Sequence, residues 1–299
     1  MQPNRSATAV VVLAAGAGTR MKSATPKALH PVLGVPMVGH VLRIAEQLKP
    51  GRMVVVTGHQ RAAVEAWIGT QQWNCDVHFV EQAEQRGTGH AVKMAVPELG
   101  DAEEVLVLYC DGPLLTANTL AQLLNARGDG VVSLMTAEPP DAAKYGRVVL
   151  NGDGRVDRIV EHADANPEEL AVPLINAGMM ALQRRFLEDA LGRLSDDNAQ
   201  GELYLTDLLA MARDAGLPGA SVCADWEEVQ GINDRAELAR ASAILQRRVV
   251  AHWLAEGVAI QRPDDVVIET TVHLSRDVSV AGAVELRGDT TVGYGTRID

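Results

Sequence analysis

Aliphatic residues recur at every sixth position near the end of the sequence, and this repeat restricts the fold of that segment strongly. One series comprises Val266, Val272, Val278 and Val284, and a second comprises Ile268, Leu274, Val280, Leu286, Val292 and Ile298. Neither a helix nor an ordinary strand has a period of six, whereas hexapeptide repeats form a β-helix with one short strand per repeat. A chance run of strand residues is the alternative, which the length of both series disfavours. We expect residues 258–299 to begin a β-helix.

This tail is short for such a fold. A three-sided β-helix uses three hexapeptides per coil, so the tail supplies only about two coils. Because stacked repeats need neighbours to bury a continuous core, we expect either a truncated form of a longer protein or completion of the tail by oligomerisation.

The first two-thirds of the chain alternates short β-branched runs with amphipathic segments. Strands are predicted at 8–15, 52–57, 77–80, 104–109, 130–136 and 174–180, and helices at 37–49, 60–68, 88–95, 117–127, 183–194 and 203–215. Strands 52–57 and 104–109 are apolar on both faces, which is typical of a parallel sheet covered by helices on each side. We therefore predict a doubly wound, mostly parallel α/β domain over 1–235. A helix with apolar residues at three- and four-residue spacing over 238–253 would link the two modules, with the linker at 236–257.

Charge and composition exclude several classes of protein. Lysine and arginine number 27 and aspartate and glutamate 39, which gives a formal net charge of −12. A chain this acidic is a poor polyanion binder, and aromatic residues are only 3%, too few for a stacking platform for single-stranded nucleic acid. The three cysteines form no metal-binding motif. With no secretory signal or membrane span in the pattern, we expect a cytoplasmic protein that binds neither nucleic acid nor membrane.

A glycine-rich loop follows the first predicted strand directly. In Leu13-Ala14-Ala15-Gly16-Ala17-Gly18-Thr19-Arg20-Met21, the two glycines allow close backbone approach to a ligand, and exposed N–H groups there suit phosphate oxygens. Arg20 and Lys27 supply cations nearby, and they could stabilise charge during phosphoryl or nucleotidyl transfer. A plain turn is the alternative. A dinucleotide fingerprint is excluded because its third glycine is Met21, and a P-loop because Gly-Lys-Ser/Thr is absent.

Several further motifs make the chain resemble the sugar-phosphate nucleotidyltransferases. These are Pro26-Lys27-Ala28-Leu29-His30, Gln82-Ala83-Glu84-Gln85-Arg86-Gly87-Thr88-Gly89-His90, Leu108-Tyr109-Cys110-Asp111-Gly112-Pro113-Leu114, Tyr145-Gly146-Arg147, Ile159-Val160-Glu161-His162, Gln200-Gly201-Glu202-Leu203-Tyr204-Leu205-Thr206-Asp207 and Gly231-Ile232-Asn233. Together they resemble most closely the bacterial bifunctional N-acetylglucosamine-1-phosphate uridylyltransferase/glucosamine-1-phosphate acetyltransferase family. The resemblance covers about residues 8–299 and includes the hexapeptide tail, for which it implies a left-handed β-helix.

The resemblance implies a role for each matching residue. Arg20 and Lys27 would be catalytic, stabilising the triphosphate of UTP. Asp111 and Asn233 would ligate Mg²⁺. The remaining substrate contacts would be the nucleotide-cradling Leu13, Ala14, Ala15, Gly16 and Gly18, the uracil-contacting Gln82, Gly87 and Thr88, and the sugar-contacting Tyr109, Gly146, Glu161 and Asn176, with Lys27 and Asn233 at the phosphates. The implied reaction is Mg²⁺-dependent transfer of UMP from UTP to N-acetylglucosamine-1-phosphate, for cell-wall precursor synthesis.

The residues themselves support these roles unevenly. Asp111 follows an apolar strand and offers the hard oxygen that Mg²⁺ prefers, although a turn-forming aspartate would look the same. Thr88 has the sequence context of a helix N-cap. Taken alone, Glu161 is more typical of a solvated acid than of a ligand contact, whereas Asn176 fits a hydrogen-bonded core residue and a ligand contact equally well. The pairing of Asp111 with Asn233 is implied by the resemblance alone.

The chain also departs from the family pattern. Cys110 stands where a glycine is common, and Ala177 replaces the usual threonine after Asn176. Acetyltransferase activity is not expected, because this sequence does not contain the later coils that carry it in the family. A different sugar or base specificity and a non-catalytic nucleotide-sugar-sensing subunit stay open as alternatives, the latter disfavoured by the presence of the loop cations and Asp111. A homotrimer through the β-helix is implied by the resemblance.

Overall fold

The computed structural model describes residues 7–198 and 200–299 and contains an α/β domain followed by a short stack of parallel strands. The strands of the α/β domain are β1 (Thr8–Ala14), β2 (Pro31–Val32), β3 (Val35–Pro36), β4 (Arg52–Thr57), β5 (Asp76–Glu81), β6 (Glu104–Tyr109), β7 (Val132–Ala137), β8 (Arg147–Leu150), β9 (Val156–Val160), β10 (Ile175–Gln183) and β11 (Ala220–Ala224). Its helices are α1 (Met37–Glu46), α2 (Arg61–Gly69), α3 (Thr88–Ala95), α4 (Ala117–Arg127), α5 (Pro167–Leu170), α6 (Arg184–Leu191), α7 (Asp207–Asp214) and α8 (Trp226–Val229).

The main sheet has the strand order β11-β7-β10-β6-β1-β4-β5. All neighbours are parallel except β10, which runs antiparallel to both β6 and β7. The hairpin of β8 and β9 extends from β10. The mostly parallel, doubly wound sheet predicted from the sequence is therefore confirmed.

Strand β1 lies inside the sheet, between β6 and β4, and both of its faces are apolar. All seven of its residues are buried. Val11 and Leu13 belong to one hydrophobic cluster, whereas Val10 and Val12 belong to the cluster on the opposite face. Full burial of such a side chain stabilises by roughly 1.5–3 kcal/mol. The parallel strands β1, β4 and β6 consequently bring their carboxyl ends, and the loops that follow, to one edge of the sheet.

Some predicted boundaries need correction. Gln183, predicted to start a helix, is the last residue of β10, and the helix predicted at 203–215 begins only at Asp207. Thr88 is not an N-cap: it is the first residue of α3, and its hydroxyl accepts a hydrogen bond from the Leu205 N–H instead. Tertiary contacts thus decide these local conformations: Gln183 pairs with Glu104 of β6, and Thr88 bonds to the chain at Leu205.

The hexapeptide segment forms the start of a β-helix, preceded by α9 (Arg235–Ala255). Its strands are β12 (Ala259–Ile260), β13 (Val266–Ile268), β14 (His273–Leu274), β15 (Ser279–Val280), β16 (Val284–Leu286), β17 (Thr291–Val292) and β18 (Arg297–Ile298). Val266 pairs in parallel with Val284, and Leu274 with Val292, an offset of three hexapeptides in each case. The period of six is therefore the repeat of a three-sided coil.

Helix α9 packs against both modules. Ala241 and Ile244 join a cluster with Val32, Leu114 and Ile232 of the α/β domain, whereas Val250 and Trp253 belong to the β-helix core. The Gln246 side chain donates to Val266 O and accepts from the Ile268 N–H. Among the helices of the described residues, α9 included, none is long and apolar enough to cross a membrane.

Candidate active site

An open cleft of about 240 Å³ lies at the carboxyl ends of β1 and β6. Its lining comprises Leu13, Ala15, Gly16, Lys27, Gln82, Gln85, Gly87, Thr88, Ala91, Tyr109, Cys110, Asp111 and Glu202. Most residues proposed from the sequence to bind nucleotide or metal thus share one cleft, although they come from four separate stretches of the chain.

The glycine loop is closely folded onto Lys27. Gly18 has a φ of +61°, a conformation that favours glycine, and a Cβ at this position would collide with the Cβ of Lys27. Gly16 is exposed, and no described atom lies within 4 Å of the position that its Cβ would take. The loop therefore brings Lys27 inward and leaves the backbone around Gly16 open to a ligand.

Lys27 lies between the two proposed metal ligands. Its Nζ donates to Asp111 Oδ2 at 2.5 Å and to Asn233 Oδ1 at 2.8 Å. Only 13% of the Lys27 side chain and 19% of the Asp111 side chain are exposed, so this ion pair is well shielded from solvent. The fold therefore brings Asp111 and Asn233 to one place, which sequence spacing could not establish.

Asn233 is held there by the neighbouring Gly231 and by Glu237 of α9. Its side-chain Nδ2 donates to Gly231 O at 3.2 Å, and its backbone N–H donates to Glu237 Oε2 at 2.6 Å. The neighbouring Ile232 N–H donates to Asp111 O at 3.0 Å. These bonds fix the carbonyl oxygen of the Asn233 side chain toward Lys27.

The opposite wall of the cleft is built around Gln82. This buried side chain donates from Nε2 to Gly87 O at 3.0 Å and lies 3.2 Å from His90 Nδ1. Gly87 has a φ of +95°, and a Cβ on it would lie 2.6 Å from Leu203 O. Only glycine fits this turn, which leads into Thr88 at the start of α3.

Tyr109 and Cys110 form the floor beside Asp111. Burial, with a further contribution from the Asp111 charge, raises the pKa of the Tyr109 phenol to about 12 and that of the Cys110 thiol to about 12. Both groups are therefore neutral near pH 7 and cannot act as anionic nucleophiles there. The Tyr109 ring packs on Gly178, where a Cβ would lie 2.9 Å from its Cε2.

Gly146, Glu161 and Asn176 form a second group outside the lining of the cleft. The Asn176 N–H donates to Gly146 O at 2.9 Å, and its side-chain Oδ1 accepts from the Gly178 N–H at 2.8 Å. A Cβ on Gly146 would lie 3.3 Å from Glu161 Oε1. Desolvation, and then the nearby Asp164, raise the pKa of the Glu161 carboxyl. Gly178 connects this group to Tyr109, so it adjoins the cleft.

Two residues of the proposed set are placed differently from the rest. The Ala14 side chain lies in the hydrophobic cluster on the other face of β1, so only its backbone could serve a ligand. Arg20 is exposed in the short helical turn Thr19–Met21 and does not line the cleft.

Sequence reasoning assigned no role to several residues that line the cleft or support it. Gln85 donates from Nε2 to Ala15 O at 2.7 Å and so ties the glycine loop to the opposite wall. Glu202 contributes to the lining. Both lie inside motifs that supported the family resemblance, which was the available signal. Glu237 carries no motif signal apart from its position in the first turn of α9.

The donor set around Lys27 fits Mg²⁺. Asp111 and Asn233 present one carboxylate and one amide oxygen, and Mg²⁺ typically takes one or two protein oxygens together with substrate phosphates and water. The described residues contain no group of three or more His, Cys, Asp and Glu side chains that could hold a metal by themselves. The site therefore suits a cation that is bound together with a phosphate-bearing substrate.

Comparison with known proteins gives concordant matches. The model of the MobA-like NTP transferase domain matches residues 10–215. The bifunctional protein GlmU of Streptomyces avermitilis is 47% identical over 97% of this chain and 61% of its own length. GlmU of Burkholderia multivorans is 42% identical, over 97% of this chain and 67% of its own length. The chain thus spans between about three fifths and two thirds of these curated relatives.

Solved structures share the fold at low sequence identity. HddC from Yersinia pseudotuberculosis has a TM-score of 0.58 and 21% identity over 79% of this chain and 99% of its own. A Bacillus anthracis protein described as a glucose-1-phosphate thymidylyltransferase, solved with sucrose, has a TM-score of 0.64 and 18% identity over 79% of this chain and 94% of its own. At these identities the likeness shows the fold alone.

Proposed function

The chain belongs to the family of the bifunctional GlmU proteins through its MobA-like NTP transferase domain, and we propose that it transfers UMP from UTP to N-acetylglucosamine-1-phosphate. The products are UDP-N-acetylglucosamine and pyrophosphate. We propose further that residues 1–235 carry this reaction, that 236–257 link the modules, and that 258–299 belong to a left-handed β-helix that assembles a homotrimer.

One observation carries the proposal. A shielded cation, Lys27 Nζ, and two hard oxygen ligands, from Asp111 and Asn233, meet beside an open glycine loop. Positive charge next to exposed backbone N–H groups suits a triphosphate. In a chain with a formal net charge of −12, a shielded lysine in a cleft beside open backbone N–H groups favours a ligand with negative charge.

The proposed chemistry is an in-line displacement at the α-phosphorus of UTP. An oxygen of the sugar phosphate forms a new P–O bond, the bond from the α-phosphorus to the bridging oxygen breaks, and pyrophosphate leaves with that electron pair. The attacking phosphate is already ionised near neutral pH, so the step requires neither a protein nucleophile nor a general base. Positioning and charge neutralisation then supply the rate enhancement.

The proposed residues divide this work between them. Lys27 would neutralise charge that accumulates around the α-phosphate, and Arg20, exposed at the loop, would reach the outer phosphates. Gln82, Gly87 and Thr88 would contact the base, while Tyr109, Gly146, Glu161 and Asn176 would contact the sugar end. Asp111 and Asn233 would hold a divalent cation, proposed as Mg²⁺, which when bound offsets phosphate charge and orients the phosphates.

Pyrophosphate release tests the proposal. The assay combines Mg²⁺ with each of four nucleoside triphosphates and a panel of sugar-1-phosphates. We expect release confined to UTP with N-acetylglucosamine-1-phosphate. Release with another pair would retain the mechanism and overturn the substrate assignment, pointing to Ala177 and its neighbours. No release from a folded sample that binds nucleotide would favour a sensing subunit instead.

The Asp111→Ala variant tests the metal assignment separately. We expect turnover to be abolished while the circular dichroism spectrum stays that of the folded protein. Glu65→Ala is a suitable control, because Glu65 accepts a hydrogen bond from Thr57 in the described structure but lies outside the cleft. Near-normal turnover in Asp111→Ala would remove Asp111 from the metal site.

A further inference from the structure

Glu237 makes a hydrogen bond that an ordinary helix cap does not make. It is the third residue of α9, and its own N–H donates to the Oδ1 of the N-cap residue Asp234 at 2.8 Å. In a capping box the acidic side chain would reach back to the N–H of the N-cap itself. Here Glu237 Oε2 instead accepts from the N–H of Asn233, one residue earlier, at 2.6 Å.

This bond fixes a residue that the helix itself would leave free. Asn233 precedes the N-cap, so the hydrogen bonds of α9 do not determine its backbone orientation. Its backbone is held by Glu237, and its side chain is held between Gly231 O and Lys27 Nζ. Rotation of the peptide unit at Asn233 would move Oδ1 away from Asp111 and Lys27.

The position of Glu237 also joins two parts of the molecule. Helix α9 is anchored on the α/β domain by Ile244 and on the β-helix by Trp253. Glu237 is in the first turn of that anchored helix, so its carboxylate is a fixed acceptor for the Asn233 backbone N–H. Partners that orient a metal ligand in this way affect metal affinity strongly although they do not touch the metal.

We propose that Glu237 is a positioning residue that orients the Asn233 side-chain oxygen toward the divalent cation. The proposal rests on the proposed function, which makes Asn233 a metal ligand. A purely structural cap would contribute to the stability of α9 without changing metal affinity, and this difference decides the experiment.

The test measures Mn²⁺ binding by electron paramagnetic resonance on the full chain with UTP and without sugar phosphate, together with melting temperature. We expect Glu237→Ala to weaken Mn²⁺ binding about tenfold. Glu237→Gln retains an acceptor oxygen. Its Mn²⁺ affinity should therefore stay within about twofold of that of the unmodified protein, a much smaller change than the loss expected when the hydrogen bond is removed.

Glu169→Ala is the matched control. Glu169 closes a capping box at α5, where its Oε2 accepts from the Asn166 N–H at 3.0 Å. The substitution removes a glutamate that accepts a backbone hydrogen bond at a helix N-terminus, together with its ion pair to Arg158, and leaves Asn233 untouched. We expect a lower melting temperature with unchanged Mn²⁺ affinity.

Three outcomes would overturn the role of Glu237. A lower melting temperature in Glu237→Ala with unchanged Mn²⁺ affinity would make it a cap only. An equal loss of Mn²⁺ affinity in Glu237→Gln and Glu237→Ala would exclude positioning through this hydrogen bond. Unchanged Mn²⁺ affinity in Asp111→Ala, which removes the ligand oxygen, would overturn the metal site itself and this role with it. Loss of Mn²⁺ affinity in Asp111→Ala shows that either of the first two outcomes overturns the role of Glu237 and not the metal site.

Discussion

Among single residues, Lys27 joins the two proposed metal ligands, Asp111 and Asn233. Its ammonium contacts an aspartate 84 residues away and an asparagine 206 residues away. Loss of this group would leave the shielded Asp111 carboxylate without its cation, and it would remove charge from the proposed reaction centre. We therefore expect the residue to affect both stability and catalysis, in proportions that a substitution can measure.

We predict that Lys27→Ala reduces kcat by about 10²-fold or more, the scale of losing one preorganised charge-stabilising group. The free energy of unfolding should fall by only about 1–3 kcal/mol, so the variant should stay folded. Steady-state pyrophosphate release and urea unfolding measure the two effects. Lys93→Ala, at an exposed position of α3, is the control and should change neither. An unchanged rate in Lys27→Ala would contradict the catalytic role.

Cys110 gives the fold a specific weakness in alkali. Burial and the Asp111 charge raise its pKa from 9.0 to about 12. Between these values an unfolded chain releases the thiol proton while the native protein retains it, so stability must fall as pH rises. Below pH 9 neither state ionises and the effect vanishes. Tyr109, with its raised pKa, acts in the same direction above pH 10.

Between pH 8 and pH 11 the free energy of unfolding should fall in both proteins. We predict that the fall is roughly 2 kcal/mol smaller in Cys110→Ala than in the unmodified protein. Urea unfolding at both pH values measures this difference, so the effect of the lost sulfur on packing cancels. Cys223→Ala is the control: Cys223 is exposed on the edge strand β11, and we expect a much smaller change. Equal pH dependence in Cys110→Ala and the unmodified protein would contradict the raised pKa.

Single residues were predictable from the sequence where local chemistry suffices. The glycine loop, Lys27 and Asp111 stand out by type and spacing, and the structure places them together. The contacts of Asn233 with Lys27 and Glu237 were not predictable, because one spans 206 residues and the other is an atypical cap. Long-range contacts of this kind follow from sheet topology, which periodicity does not encode.

At the scale of elements, continuous apolar character was the reliable signal. The bounds predicted for β4, β6, α3 and α4 agree with the structure. Strands β8, β9 and β11 were missed because they lie at the sheet margin and carry polar or half-exposed residues. The reversed direction of β10 was likewise unpredictable, since a buried strand has the same apolar pattern in either direction.

The N-terminus of helix α4 is capped by Thr116, whose hydroxyl makes two hydrogen bonds. The Thr116 hydroxyl accepts from the Thr119 N–H at 3.2 Å and donates to Glu228 Oε2 at 3.0 Å. We predict that Thr116→Ala lowers the free energy of unfolding by about 1–2 kcal/mol. Urea unfolding measures it, with Thr116→Ser as the control because serine keeps the hydroxyl. Equal losses in both variants would show that the methyl group matters rather than the cap.

At the scale of the whole molecule, α9 is the element that both modules share. The six-residue period predicted the β-helix, and the apolar stripe predicted the helix before it, but neither predicted how they dock. Docking depends on surface details, such as the Thr270 N–H that donates to Leu33 O at 3.2 Å. Such contacts join loops whose sequences carry no periodic signal.

Shared packing on α9 predicts that the two modules unfold together. Ile244, only 8% exposed, packs α9 against the α/β domain, while Trp253, 7% exposed, packs it against the β-helix. A module that loses its contact with α9 exposes apolar surface to water. Unfolding of one module therefore destabilises the folded state of the other. We therefore expect one calorimetric transition in the unmodified protein, with calorimetric and van't Hoff enthalpies in agreement.

Ile244→Ala tests this coupling. The substitution should lower the free energy of unfolding by about 2–5 kcal/mol, the range for removing a buried isoleucine side chain. It should also split the single transition into two, because the β-helix keeps its packing on Trp253 while the α/β domain loses packing against α9. Leu254→Ala is the matched control on the same helix: Leu254 is 44% exposed, so its loss should leave one transition at nearly the same temperature. Two transitions already present in the unmodified protein would mean that α9 connects the modules without coupling their stability.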